Sequence, residues 1–143
     1  SEGNEAQNML RLYNFDRAFI GCAGVSLGMK KAFTAEMATR ELKRIAMELS
    51  NHNYLLIDDS KLHVKGFCTF AQLDEFEDVF INRTTGMETL PDHFIAVKWQ
   101  LYCTISIQQQ RVVLYGCSTS SSSSGLYCRN TSFHYIYSYL KKL

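Results

Sequence analysis

Over the first 95 residues the hydrophobic positions switch between helical and strand-like spacing. Ala6, Met9, Leu10 and Tyr13 recur at i, i+3, i+4 and i+7, which predicts one face of a short helix. Ala18-Phe19-Ile20 is a brief apolar run stopped by Gly21, and its length favours a strand. Gly21, Gly24 and Gly28 follow within a short stretch and predict a loop whose backbone turns tightly or approaches a ligand. The clearest helix comes next. Thr34 can cap it, Glu36 sits in its first turn, and Ala38, Leu42, Ile45 and Leu49 form its apolar stripe, leaving Arg40, Lys43, Arg44 and Glu48 largely on the solvent side. Ser50-Asn51-His52-Asn53 ends that helix, Tyr54-Leu55-Leu56-Ile57 reads as a buried strand, and a further strand ends at Val79-Phe80-Ile81. Strand, helix, strand with this spacing implies a parallel sheet and an α/β fold.

Beyond this region the pattern changes. All 14 acidic residues lie at or before Asp92, so residues 1–95 carry 10 basic and 14 acidic side chains while 96–143 carry 5 basic and none acidic. The overall charge of +1 therefore hides a net −4 followed by a net +5. A low-complexity run from Ser118 to Ser124 reads as flexible linker. The expected organisation is a domain over 1–95 and an atypical, acid-free tail over 96–143. Such a composition suggests translation past a frameshift or a fused segment. Within the tail, Tyr102 to Ile107 and Val112 to Tyr115 have strand-like content.

Composition narrows the classes of function. With 46% hydrophobic and 20% charged residues the chain is ordinary globular protein. It has no apolar run of about 18 residues and no signal-like start, so a cytoplasmic location is expected. Five cysteines, Cys22, Cys68, Cys103, Cys117 and Cys128, form no C-x-x-C pair, and the four histidines are scattered. Reduced thiols and no metal site or cofactor are therefore expected. The near-zero net charge gives no support for nucleic-acid binding by this chain.

Candidate chemistry is concentrated in two places. Ile57-Asp58-Asp59-Ser60-Lys61 directly follows a predicted strand, where open parallel sheets bind their ligands. Asp58 can hold sugar hydroxyls, Ser60 can donate to a phosphate oxygen, and Lys61 can offer a positive charge to an anion. The bland alternative is a solvated turn in which Asp and Ser cap backbone N–H groups. Gly21-Cys22-Ala23-Gly24 lies after another predicted strand, and free amides there can cradle a phosphate. It lacks any complete phosphate-loop spacing, and a purely structural tight turn is the favoured reading of the bare pattern.

Taken in order, Phe15-Asp16-Arg17-Ala18-Phe19-Ile20-Gly21, Gly24-Val25, Gly28, Glu41-Leu42-Lys43-Arg44 and Leu55-Leu56-Ile57-Asp58-Asp59-Ser60-Lys61 resemble the C-terminal sensor domain of the DeoR family of bacterial repressors. The resemblance covers roughly residues 9 to 95. Ala71-Gln72-Leu73 and Val79-Phe80-Ile81-Asn82 fit its closing strand, with Asn82 where the family usually has Asp. It implies a domain related to sugar-phosphate isomerases that binds a phosphorylated sugar or similar metabolite, with Gly21, Gly24, Asp58, Ser60 and Lys61 as ligand contacts. Control of operator DNA would run through a helix-turn-helix domain that these residues do not encode. The family's early phosphate loop has no counterpart here either, and an unpaired sheet edge is expected in its place, with homo-oligomerisation left open. The rival reading is an isomerase or deaminase, with Asp58 or Asp59 as general base and Lys61 stabilising an enediolate.

Overall fold

The computed structural model of the chain describes residues 2–82, 89–96, 105–108 and 112–115. Helix α1 (Glu2–Leu10) leads into strand β1 (Phe15–Gly21), a β2 (Gly24–Ser26) and β3 (Lys31–Thr34) hairpin, helix α2 (Met37–Glu48) and strand β4 (Ser50–Ile57). There follow a 3-10 turn (Asp59–Lys61), β5 (Cys68–Gln72), a second 3-10 turn (Leu73–Glu75), β6 (Asp78–Ile81), β7 (Phe94–Ala96), β8 (Ile105–Gln108) and β9 (Val112–Tyr115).

The main sheet has the order β7-β6-β4-β1-β9-β8. Its first five strands in that order run parallel, and β8 closes it antiparallel to β9. The expected α/β class and parallel sheet are thus observed. Both faces of its centre are apolar, as parallel strands require. Ala18, Ile20, Leu55, Ile57, Val79 and Ile81 join Ile45, Ala46 and Met47 of α2 in one core. Phe19, Tyr54, Leu56 and Phe80 are buried on the opposite face. There Phe19 stacks on Tyr54 at 5.1 Å between ring centroids, and Tyr54 meets Phe80 at 5.9 Å.

A second sheet, β2-β3-β5, is antiparallel and is drawn from the β1–β4 and β4–β6 connections of the main one. Its hairpin is inserted between β1 and α2, and β5 lies between β4 and β6. The glycine-spaced stretch read as a loop is therefore largely a hairpin, whose strands are too short to show a period of two. Ala71 and Gln72 belong to this small sheet rather than to the closing strand of the large one, and Leu73 begins the second 3-10 turn.

The second sheet also changes the expected surface of α2. The helix packs against α1, β4 and β1 and also against β5 and β3. Lys43, expected in solvent, is 2% exposed. Arg40 donates to the Thr69 carbonyl at 2.9 Å, and Arg44 to the Phe70 carbonyl at 3.2 Å. Ala38 is exposed, while Leu42 and Leu49 only flank the core. The predicted stripe thus describes only part of a helix buried on two sides. Thr34 is the last residue of β3 and not a cap. Glu36 holds the N-cap position without a side-chain cap bond, and the Thr34 hydroxyl meets the Thr39 hydroxyl at 2.9 Å and the Lys43 ammonium at 3.3 Å.

In the tail, β9 matches the expected strand at 112–115, and β8 covers 105–108 against an expected 102–107 whose first three residues lie outside the described ones. The edge of β1 expected to be unpaired is occupied: Arg17 to Ile20 are in parallel register with Val112 to Tyr115.

Candidate functional site

At the carboxyl end of β4 the chain leaves the sheet at Asp58 and forms the 3-10 turn at once. One carboxylate oxygen of Asp58 accepts the Ser60 N–H at 2.8 Å and also the Ser60 hydroxyl. This is the cap expected of Asp before a helical turn. The Lys61 N–H donates to the Asp58 carbonyl at 3.0 Å and the Leu62 N–H to the Asp59 carbonyl at 3.3 Å. The Asp59 N–H donates to the side-chain oxygen of Asn82, just beyond β6, at 2.8 Å. Every backbone amide from Asp59 to Leu62 therefore already has an acceptor. What the turn offers a ligand is its side chains: the second carboxylate oxygen of Asp58 as an acceptor, and the half-buried Lys61, which no carboxylate neutralises among the described residues.

The glycine element sits beside this turn. Gly21 ends β1, paired with Leu56 of β4, and Gly24 opens β2, paired with Phe33. Val25 forms a bridge with Leu62, and the His63 N–H donates to the Val25 carbonyl at 2.8 Å. A Cβ at Gly24 would run into the Val64 carbonyl group, with its carbon at 2.8 Å. The absent side chain at 24 is thus accounted for by two backbones in close approach. The Ala23 amide is committed to the Phe33 carbonyl at 2.8 Å. The fold accordingly brings together the five residues singled out from sequence, Gly21, Gly24, Asp58, Ser60 and Lys61, at the carboxyl ends of β1 and β4.

Asn82 is the neighbour that sequence reasoning passed over as a contributor. Its signal was a polar residue directly after an apolar strand, at the position where the resemblance expects Asp. A second polar cluster lies at the opposite, amino-terminal end of the strands. There His52 hydrogen-bonds Glu77, and the Tyr54 hydroxyl donates to Glu77 at 3.3 Å. Burial raises the Tyr54 hydroxyl above its ordinary pKa, while a hydrogen bond from Arg17 opposes the rise. Burial, and then Glu77, likewise raise the carboxyl of Asp78. Among the described residues no group of three His, Cys, Asp or Glu side chains is placed to hold a metal ion.

The DeoR C-terminal sensor domain family matches residues 1–83 of the chain, a span that includes β1, α2, β4, β6 and the turn between them. The chain belongs to this family. No curated protein matches it. As a DeoR-type sensor domain it is a regulatory module, and the match contains the whole of the Asp58 turn together with Asn82. No helix among the described residues is long and apolar enough to cross a membrane.

Proposed function

We propose that this DeoR-type sensor domain binds a phosphorylated sugar or related metabolite at the carboxyl ends of β1, β4 and β6, and that binding alters the operator affinity of a regulator containing a helix-turn-helix domain. The observation that carries this reading is the chemistry left available by the Asp58–Lys61 turn. Its amides are already satisfied, by Asp58 and Asp59 within the turn and by Asn82 beyond β6, which leaves one carboxylate oxygen for hydroxyl groups and one ammonium for an anion. An acceptor of hydroxyls beside a cation suits a polyol with an anionic end. Control would then follow by linkage, since a ligand that prefers one conformation shifts the population of that conformation.

A thermal-shift comparison of ribose 5-phosphate, galactose 6-phosphate and glucosamine 6-phosphate with inorganic phosphate tests this. A ligand at about 100 times its Kd adds roughly 2.7 kcal/mol of apparent stability, a rise of several degrees. Lys61→Met should weaken binding about tenfold or more, as expected for loss of a hydrogen bond to a charged group. A protein indifferent to all three sugars, or one that turns a sugar phosphate over, would overturn the sensor reading.

A further inference from the structure

The Asn82 carboxamide makes two hydrogen bonds to one residue. Its oxygen accepts the Asp59 N–H at 2.8 Å, and its nitrogen donates to the Asp59 carboxylate at 3.1 Å. Only this orientation of the amide is chemically consistent, because the reverse would set NH2 against N–H and oxygen against oxygen. The clamp joins the end of β6 to the turn that follows β4, 23 residues earlier in the chain. The two strands are already in parallel register up to Ile57 and Ile81, so the clamp extends that pairing by one side chain just where the backbones diverge.

Asp59 stands between the two charged side chains that the turn leaves available to a ligand. Asp58 precedes it and Lys61 follows within the same 3-10 turn. Fixing the Asp59 backbone and carboxylate together fixes where Asp58 and Lys61 stand. A carboxylate at position 82 accepts the Asp59 N–H equally well but has no proton to give to the Asp59 carboxylate. Two carboxylates at hydrogen-bond distance cannot both ionise without strong repulsion.

We propose that Asn82 is the positioning residue of the effector turn: its neutral, two-sided amide locks Asp59, and through it Asp58 and Lys61, onto the end of β6. The effector role of that turn rests on the reading under Proposed function, whereas the clamp itself stands without it. Amide hydrogen exchange of Asp59 to Leu62 in the full chain, corrected for intrinsic rates and followed between pH 4 and 8, separates the two. Asn82→Ala should speed exchange of the Asp59 amide about tenfold or more at every pH, since it removes one neutral and one charge-assisted hydrogen bond. Asn82→Asp should be as fast as the alanine variant at the alkaline end and approach wild-type protection at the acid end, where one carboxyl regains a proton and can donate. Unfolding midpoints of both variants show whether a change is local to the turn. Unaltered Asp59 protection in Asn82→Ala, or an Asn82→Asp variant without pH dependence, would overturn the proposal. Because these measurements need no ligand, failure of the sugar-phosphate screen leaves them decisive, and loss of protection with normal sugar-phosphate binding would sever the clamp from the effector site.

Discussion

The ammonium of Lys43 is surrounded by the Thr34 hydroxyl at 3.3 Å and the face of Phe70, 4.7 Å from the ring centroid. Burying such a charge is costly unless polar or π partners replace water, and both are supplied here by the small sheet. Asp78 is the contrasting case. Burial, followed by the neighbouring Glu77, raises its carboxyl above the ordinary carboxylate value, with His93 opposing. A raised folded-state pKa means that the protonated form is the one favoured by folding. The stabilising contribution is complete below the unfolded-state pKa and is lost as pH rises through the folded one. At neutral pH, therefore, ionised Asp78 detracts from stability. Asp78→Asn should be more stable than the wild type at pH 7, by no more than about 1 kcal/mol for a partly solvated group. Urea midpoints taken across the carboxylate range should show that advantage shrinking as the solution is acidified. An advantage that is constant with pH would mean that ionisation is not its source.

Among the elements, the three glycines at the end of β1 and along the β2–β3 hairpin are not equivalent. Gly24 is closed off by the backbone of Val64, whereas a Cβ at Gly28 meets nothing within 4 Å. Gly24→Ala should cost about 1–3 kcal/mol, because a carbonyl group has little room to yield. Gly28→Ala, made in parallel, should be near neutral. Equal urea midpoints for the two variants would show that the β2 and 62–64 segments are not held as closely as described. The same hairpin marks the limit of what could be read from the chain. β1, β4 and β6 were legible because apolar runs such as Tyr54 to Ile57 are buried on both faces, and α2 because its Ile45 side follows the helical period. β2, β3 and β5 were not, since three to five residues carry too little alternation, and their contacts are set by partners distant in sequence. Burial of Lys43 follows from that unseen sheet. In the candidate site, the sequence pattern singled out Asp58, Ser60 and Lys61 and offered the Asp cap of the turn as the alternative reading, but not the anchor of the Asp59 amide, because its acceptor, Asn82, lies just beyond β6.

For the molecule as a whole, the strands outside the family match complete the sheet. β1 is a central strand only because β9 lies along its outer edge, and β8 in turn covers β9. The two parts of the chain also carry opposite net charge, −4 over 1–95 and +5 over 96–143. That complementarity favours their association, while the backbone hydrogen bonds of a parallel ladder supply its register. We propose that β8 and β9, both within the acid-free segment 96–143, serve to close this edge. A chain ending at residue 96 would leave those N–H and C=O groups of Arg17 to Ile20 that face β9 without their partners, and a bare edge of this kind pairs with other chains. Size-exclusion chromatography with light scattering should find that chain self-associated at concentrations where the 143-residue chain is uniform in mass. Its unfolding should also begin at a lower urea concentration, since β1 then loses one of its two neighbours. If the shortened chain keeps both the mass distribution and the unfolding midpoint of the 143-residue chain, the edge of β1 is protected by something other than β9, and the closing role assigned to β8 and β9 falls.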